Sequence, residues 1–330
     1  MSVKTFAAID VGSFELTMKI FDFSGKNTMR EIDCIRQRID LGSVTYANGK
    51  ISNEKMDDLC HTLKEFAQIM ESYKVIAYKA YGTSAIRETE NTLILQDQIE
   101  QRTGIRVEIL SNSEQRFLDY KSIASKGETF RRIIEEKTAI LDIGGGSIQI
   151  SLFDKDTLVS TQNLRLGVLR LQELLNHLNA GSTQMEQLVD ELATAQLDDY
   201  KKLYLKDREI KNIIIVDDYL SPWAVRKAHE RGDGNAMVDS KAFNQLMEAL
   251  RTRGTTELAK RMDIAEEKVP LVYISAVLTK RIAELMGATL IWAPGVTLCD
   301  GIAYEYAEQN KLLRGEHDFA EDIIACAMNI

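Results

Sequence analysis

Apolar positions along the first 125 residues alternate between two periods. Strand-like runs fill residues 5–10, 15–23 and about 30–40, with turn chemistry at Phe21-Asp22-Phe23-Ser24-Gly25-Lys26-Asn27. Ser52-Asn53-Glu54 then opens a stretch in which Met56, Leu59, Leu63, Phe66, Ala67 and Met70 recur at helical spacing, which predicts a helix to about residue 73. Residues 75–81 predict a strand, 92–103 a helix ended by Gly104, 106–110 a short strand, and Ser111 the cap of a helix to about 125. After Gly127 the order restarts. Strands are expected at 138–142, 147–153 and 158–164, helices at 166–178 and 185–204, and a buried strand at 212–216. Three or four helices fill 222–286, followed by a strand at 289–292 and a helix at 299–308. Residues 309–330 read as a further helix or docked tail, with Phe319, Ile323, Ile324 and Met328 on one face. Three strands and then alternating strand and helix, used twice, predict an α/β fold of two related domains, 1–125 and 126–308.

Two segments carry the repeat most clearly. Ala8-Ile9-Asp10-Val11-Gly12-Ser13 is an apolar strand, an aspartate and a glycine turn with a hydroxyl; Ile140-Leu141-Asp142-Ile143-Gly144-Gly145-Gly146-Ser147 restates it. A glycine turn lets phosphate oxygens approach backbone N–H groups, and an aspartate at a strand end can hold a hard cation. Two such turns facing each other would form a phosphate-and-metal cleft between the domains. The first turn alone fits a plain hairpin equally well. The second is more telling, because three glycines after a buried strand offer no packing and suit a place where another group must approach the backbone.

Other segments have chemistry of their own. Gly82-Thr83-Ser84 precedes a short helix and could present N–H groups and hydroxyls to an anion, with Arg87 as a phosphate clamp; a helix cap with a surface arginine is the simpler account. Glu114 sits where a carboxylate could orient and deprotonate water, but three residues after Ser111 it equally completes a capping box. Arg165 and Arg170 flank Gly167 at a strand-to-helix turn, either facing an anion or solvated.

The 330 residues suit two domains. A net charge of −9 gives no general electrostatic case for DNA or an anionic membrane, and no apolar run approaches the ~20 residues that span a bilayer. Cys34, Cys60, Cys299 and Cys326 lack CxxC spacing and read as free thiols. Residues 1–5 lead straight into a strand without a signal-peptide core, so a cytoplasmic protein is expected.

Taken in order, these motifs resemble the exopolyphosphatase / guanosine pentaphosphate phosphohydrolase family, of the actin-like superfamily of duplicated ribonuclease-H-like domains. The resemblance rests on residues 7–13, Ile39-Asp40-Leu41-Gly42, residues 48–52, 82–91, 107–120, 141–147 and 164–171, and Gly295-Val296-Thr297-Leu298-Cys299-Asp300-Gly301. It implies Mg²⁺-dependent hydrolysis of a terminal phosphoanhydride in polyphosphate or a guanosine polyphosphate, and a homodimer. By motif position Glu114 would activate water and Arg87 would neutralise the transferred group. Gly12, Ser13, Thr83, Ser84, Gly144, Gly145, Gly146 and Ser147 would bind phosphate. Asp10, Asp142 and Gln149 would hold the metal.

The chain also departs from the family pattern. Phe14 and Glu15 replace a polar pair after the first turn, and Ile148-Gln149 replaces Thr-Glu after the second. Ser113 and Gln115 thin the acidic cluster at Glu114, and Asp217-Asp218 stands where a Gly-Gly-Thr loop is expected. Three functions follow: a phosphoanhydride hydrolase, a weakened member that binds phosphate or nucleotide in a regulatory role, and an actin-like enzyme that uses ATP.

Overall fold

The structure, a computed structural model, describes residues 4–178, 184–232 and 234–313. These fall into two compact units, one of residues 4–127 and 297–313, the other of the described residues between 128 and 296.

In the first unit the chain runs β1 (Thr5–Val11), β2 (Glu15–Asp22), β3 (Arg30–Arg38), α1 (Leu41–Asn48), α2 (Asn53–Ser72), β4 (Ala77–Gly82), α3 (Ser84–Glu88), α4 (Thr92–Thr103), β5 (Glu108–Ile109) and α5 (Asn112–Ala124). Its sheet has the order β3-β2-β1-β4-β5, antiparallel across β1–β2 and β2–β3 and parallel across β1–β4 and β4–β5. β1 is buried on both faces, which is why it reads as a continuous apolar run. Ala7, Ile9 and Val11 join Leu59, Leu63 and Phe66 of α2 in one core cluster, while Phe6 and Ala8 belong to a second cluster with Leu118 of α5. Strand alternation puts Asp10 on the Phe6–Ala8 face.

The second unit contains α6 (Glu128–Ile134), β6 (Thr138–Ile143), β7 (Ile148–Asp154), β8 (Thr157–Leu164), α7 (Val168–His177), α8 (Met185–Tyr200), β9 (Asn212–Val216), α9 (Ser221–Arg231), β10 (Met237–Val238), α10 (Ser240–Thr252), α11 (Thr255–Met262), α12 (Lys268–Met286) and β11 (Leu290–Trp292). The order β10-β11-β9-β6-β7-β8 contains β8-β7-β6-β9-β11, strand for strand the order of the first sheet with the same pairing directions. The duplication reaches single residues. Asp10 stands across from Thr17 and Asp142 across from Gln149. The ladder slips between Ile20 and Phe21 in β2 and between Leu152 and Phe153 in β7, the equivalent place in each repeat.

The last helix, α13 (Leu298–Gln309), belongs to the first unit, whereas the sequence assigned residues up to 308 to the second domain. Packing explains the reassignment. Leu298, Ile302 and Ala303 complete the Phe6–Ala8 cluster, and Tyr306 stacks on Phe6 with ring centroids 4.0 Å apart. A side chain at Gly301 would place its Cβ 1.9 Å from the Leu118 carbonyl oxygen, so α13 lies directly on α5. Buried Lys19 of β2 binds Asp300 at 2.8 Å and Glu31 at 2.9 Å, and Lys121 pairs with Glu308. Four helices occupy 221–286, as the spacing predicts. α8 ends at Tyr200 and continues as one π-helical turn, Lys201–Leu205. Residues 30–40 split into β3 and the start of α1, and the stretch after 127 forms α6. The expected tail helix, including Cys326, lies outside the described residues from 314 onward. No helix among the described residues is long and apolar enough to cross a membrane.

Candidate active site

Both hairpin turns are built by the same device. In the first, β1 ends at Val11 and the chain reverses through Gly12-Ser13-Phe14. A Cβ on Gly12 would stand 2.7 Å from the Glu15 carbonyl oxygen, so only glycine fits this reversal. The start of α1 then docks on the turn: Ile39 N and Asp40 N donate to Phe14 O, and Gly42 N donates to Ser13 O at 2.7 Å. The left-handed backbone of Asp40 (φ 57°) makes the bend into the helix. In the second turn the start of α7 does the same, with Val168 N donating to Gly144 O and Leu169 N to Gly145 O, both at 3.0 Å, and Arg170 N to Gly145 O at 3.2 Å. Arg170 Nε adds a bond to Gly146 O at 3.0 Å. Leu41-Gly42 and Leu166-Gly167 are thus the same docking element in the two repeats.

This geometry refines the reading of the triple glycine. A group does approach the backbone closely, and it is the chain's own Gly167: a Cβ there would lie 2.2–2.3 Å from Gly145 O, Gly146 C and Ser147 N. The α7 N–H groups are spent on the loop carbonyls, so this helix start is not the open anion site considered from sequence. With its carbonyls held by α7, the loop keeps N–H groups at Gly145, Gly146 and Ser147 that donate to no backbone oxygen among the described residues. Gly145, Gly146 and Ser147 are themselves buried, with Gly167 packed against them.

Docking of α1 also places a residue that the sequence did not reveal. Tyr46 follows Gly42 by one helical turn, and its hydroxyl lies 2.9 Å from Ser13 Oγ and 2.8 Å from Ser84 Oγ, with Ser13 and Ser84 2.9 Å apart. The Gly-Ser turn and the Gly82-Thr83-Ser84 segment therefore meet in a triangle of hydroxyls. Thr83 is buried beside them and its N–H donates to Val11 O at 3.3 Å. The Leu-Gly repeat is the signal that could have exposed Tyr46, since it begins a helix in both halves.

Arg87 ties this region to the Glu114 segment. Its Nη1 donates to Leu110 O at 2.6 Å and to Gln115 Oε1 at 3.4 Å. Glu114 makes the capping box: Oε2 accepts from Ser111 N at 2.8 Å, and Ser111 Oγ accepts from Glu114 N at 3.2 Å. Hydrogen bonding to Ser111 holds the Glu114 carboxyl below the usual range, so it is ionised at neutral pH. The capping-box reading of Glu114 is thus met, through Oε2.

Asp142 has its partner in Gln149. The glutamine is 2% exposed and its Nε2 donates to Asp142 Oδ2 at 3.1 Å. The amide nitrogen faces the carboxylate, which makes Gln149 an orienting partner of Asp142 rather than a second oxygen beside it. Among the described residues no group of three or more His, Cys, Asp or Glu is placed to hold a metal. Mg²⁺ does not require one, being held as a rule by one or two carboxylates, waters and substrate phosphates; Asp10 in the first unit and Asp142 in the second each offer one carboxylate of that kind.

The unusual residues are structurally accommodated. Phe14 is buried with the Arg38 guanidinium 5.3 Å above its ring, and Glu15 stands across from Arg38 in the β2–β3 ladder. Asp217 is 6% exposed and turned inward: it accepts from Leu220 N and Ser221 N, both at 2.8 Å, and from Ser275 Oγ at 3.2 Å. Burial raises its pKa against these hydrogen bonds. Its carboxylate thus takes the place at the start of α9 where a bound anion would otherwise sit.

Two sheets of one strand order, each with an aspartate ahead of a glycine turn, define a duplicated α/β protein of the actin-like fold. The chain belongs to the Ppx/GppA phosphatase family, whose family model matches residues 20–309. Exopolyphosphatase 1 of Mycobacterium tuberculosis is 28% identical over 144 residues, 43% of this chain and 40% of that protein. The guanosine-5′-triphosphate,3′-diphosphate pyrophosphatase of Vibrio atlanticus is 23% identical over 168 residues, 51% of this chain and 32% of that protein. The matches to these relatives thus span about two fifths of their length or less. A solved exopolyphosphatase from Cytophaga hutchinsonii superposes with a TM-score of 0.75 at 19% identity, covering 94% of this chain and all of that one. The Aquifex aeolicus family member gives 0.72 at 14% identity over 96% and 100%. At these identities the structural likeness establishes the fold.

Proposed function

We propose that this chain hydrolyses the terminal phosphoanhydride of inorganic polyphosphate or of a guanosine penta- or tetraphosphate, with Mg²⁺ as cofactor. The observation that carries the reading is the repeated turn, in which docked α1 and α7 fix a glycine loop beside Asp10 and Asp142. Family membership and the names of the relatives support it.

In the first unit the hydroxyls of Ser13, Ser84 and Tyr46 are the donors offered to phosphate oxygens, and in the second unit the N–H groups of Gly145, Gly146 and Ser147 are the expected ones. Thr83 and Gly12 shape the first turn. Arg87, its plane fixed by the Leu110 carbonyl, offsets charge on the transferred group. Glu114 keeps Oε2 on the Ser111 N–H and accepts the proton of the attacking water at Oε1. Asp10 and Asp142 would hold Mg²⁺, which when bound offsets negative charge on the phosphates; Gln149 orients Asp142. A cytoplasmic setting and a homodimer go with this reading, as the family resemblance implies.

A second reading is binding without turnover. It is favoured by Gln149, whose amide adds no charge beside Asp142, and by the low proton affinity of Glu114. Phosphate release from long-chain polyphosphate with Mg²⁺, compared between the parent and Glu114→Gln, decides between them. Release by the parent that is lost in the variant supports hydrolysis. Binding with no release by the parent supports the second reading.

A further inference from the structure

Three helices of the second unit enclose a cavity of about 570 Å³ that none of the chemistry above uses. Each helix turns one stripe toward it. α9 contributes Trp223, Arg226, Lys227, Glu230 and Arg231, at intervals of three, four, seven and eight residues from the first. Leu246 of α10 and Leu258 and Met262 of α11 form an apolar floor, and Arg261 stands one turn from Leu258. The volume lies within the ~300–1,000 Å³ typical of small-molecule sites.

The composition of the wall indicates the occupant. Four of its five charged side chains are basic, in a chain whose net charge is −9. The one acid, Glu230, is already bridged by Lys227 at 2.6 Å and Arg226 at 3.4 Å. Arg231 donates to the Met237 carbonyl at 2.9 Å, which fixes it at the rim. Arg261 is exposed and forms no ion pair with a described residue. A bare inorganic anion would use the basic rim and leave the apolar floor and the half-buried Trp223 without a partner. A flat aromatic ring bearing phosphates satisfies both, with the ring on Trp223 and the floor and the phosphates on the guanidinium groups.

We propose that this cavity is a nucleotide site, separate from the hydrolytic residues and taking a base through Trp223, Leu246, Leu258 and Met262 and phosphate through Arg226 and Arg261. The proposal does not depend on the hydrolase reading, and the probe is chosen accordingly. Adenosine 3′,5′-bisphosphate has a base and two phosphates but no phosphoanhydride bond. Trp223 and Trp292 are the only tryptophans in the chain, and Trp292 is buried in β11, so quenching of Trp fluorescence in the full chain reports on the cavity. The bisphosphate should quench saturably. Arg261→Glu, a change at an exposed position, should weaken binding by about tenfold or more, while Glu114→Gln should leave it unchanged. Calorimetry on Trp223→Leu should show a comparable loss for the bisphosphate and none for pyrophosphate. Absence of saturable binding, equal affinity in Arg261→Glu, or pyrophosphate binding as tightly as the bisphosphate in the parent would each overturn the proposal.

Discussion

Gly167→Ala isolates the contact between α7 and the glycine loop. The backbone at Gly167 (φ −68°, ψ 150°) is open to any residue, so the substitution introduces no torsional strain. What it introduces is a Cβ 2.2–2.3 Å from three backbone atoms of residues 145–147, about an ångström inside normal contact. Relief requires α7 to withdraw, which weakens the bonds from Val168, Leu169 and Arg170 to the loop carbonyls. Overpacking costs roughly 1–3 kcal/mol, and each strained hydrogen bond adds up to about 1 kcal/mol. Lower entropy of the unfolded chain returns about 0.4–1 kcal/mol. The expected net loss is ~2–4 kcal/mol. Gly254 is a matched control: it also precedes a helix, at φ −70° and ψ 152°, and a Cβ there meets nothing within 4 Å. Both tryptophans and both glycines lie in the second unit, so urea unfolding followed by Trp fluorescence compares the two variants directly. If Gly167→Ala and Gly254→Ala agree to within about 0.5 kcal/mol, α7 does not press on the loop and the argument from close approach is wrong.

Ser111→Ala removes the hydroxyl half of the capping box, so the Glu114 pKa rises toward its ordinary value. A carboxyl with a depressed folded pKa contributes stability above its unfolded pKa and loses it as pH falls through the folded one; the variant should therefore lose stability mainly above about pH 4–5, and the acid limb of phosphate release should move to higher pH. Tyr46→Phe takes one hydroxyl from the triangle; a higher KM for polyphosphate with a smaller change in kcat is expected, and steady-state kinetics would expose an unchanged KM. Gly301→Ala drives a Cβ into the Leu118 carbonyl and should cost at least ~2–3 kcal/mol in thermal or urea unfolding, because two helix backbones rather than a flexible side chain must move.

The repeat was legible because its signal is local. A strand with both faces buried, an aspartate and a glycine turn form one pattern, which β1 and β6 follow, and β2, β7 and β9 lie close to their expected bounds. Ser52 and Ser111 announced α2 and α5 by their own hydrogen bonds to Lys55 N and Glu114 N. α1 was not legible. Gly42, Val44 and Thr45 are poor helix formers, and besides the Asp40 cap the helix start is held by the Ser13 carbonyl on Gly42 N and the Phe14 carbonyl on Ile39 N and Asp40 N just ahead of it, a tertiary cause. Tyr46 was hidden with it. α13 was found as a helix, but its side of the molecule depends on Gly301 meeting Leu118 and on Lys19 meeting Asp300, contacts between residues far apart in sequence. Asp217 could be read as an acid; its turn toward Leu220, Ser221 and Ser275 could not, since Ser275 is supplied by α12.

The central claim is that Glu114 serves the cap with one oxygen and water with the other. It is tested most directly by inorganic phosphate release from long-chain polyphosphate at saturating Mg²⁺, with the parent and Glu114→Gln measured side by side. Glutamine can still accept the Ser111 N–H through its amide oxygen but cannot take a proton, so the account predicts a folded variant whose rate falls by roughly 10²–10⁴-fold. Equal rates in the two proteins would contradict it.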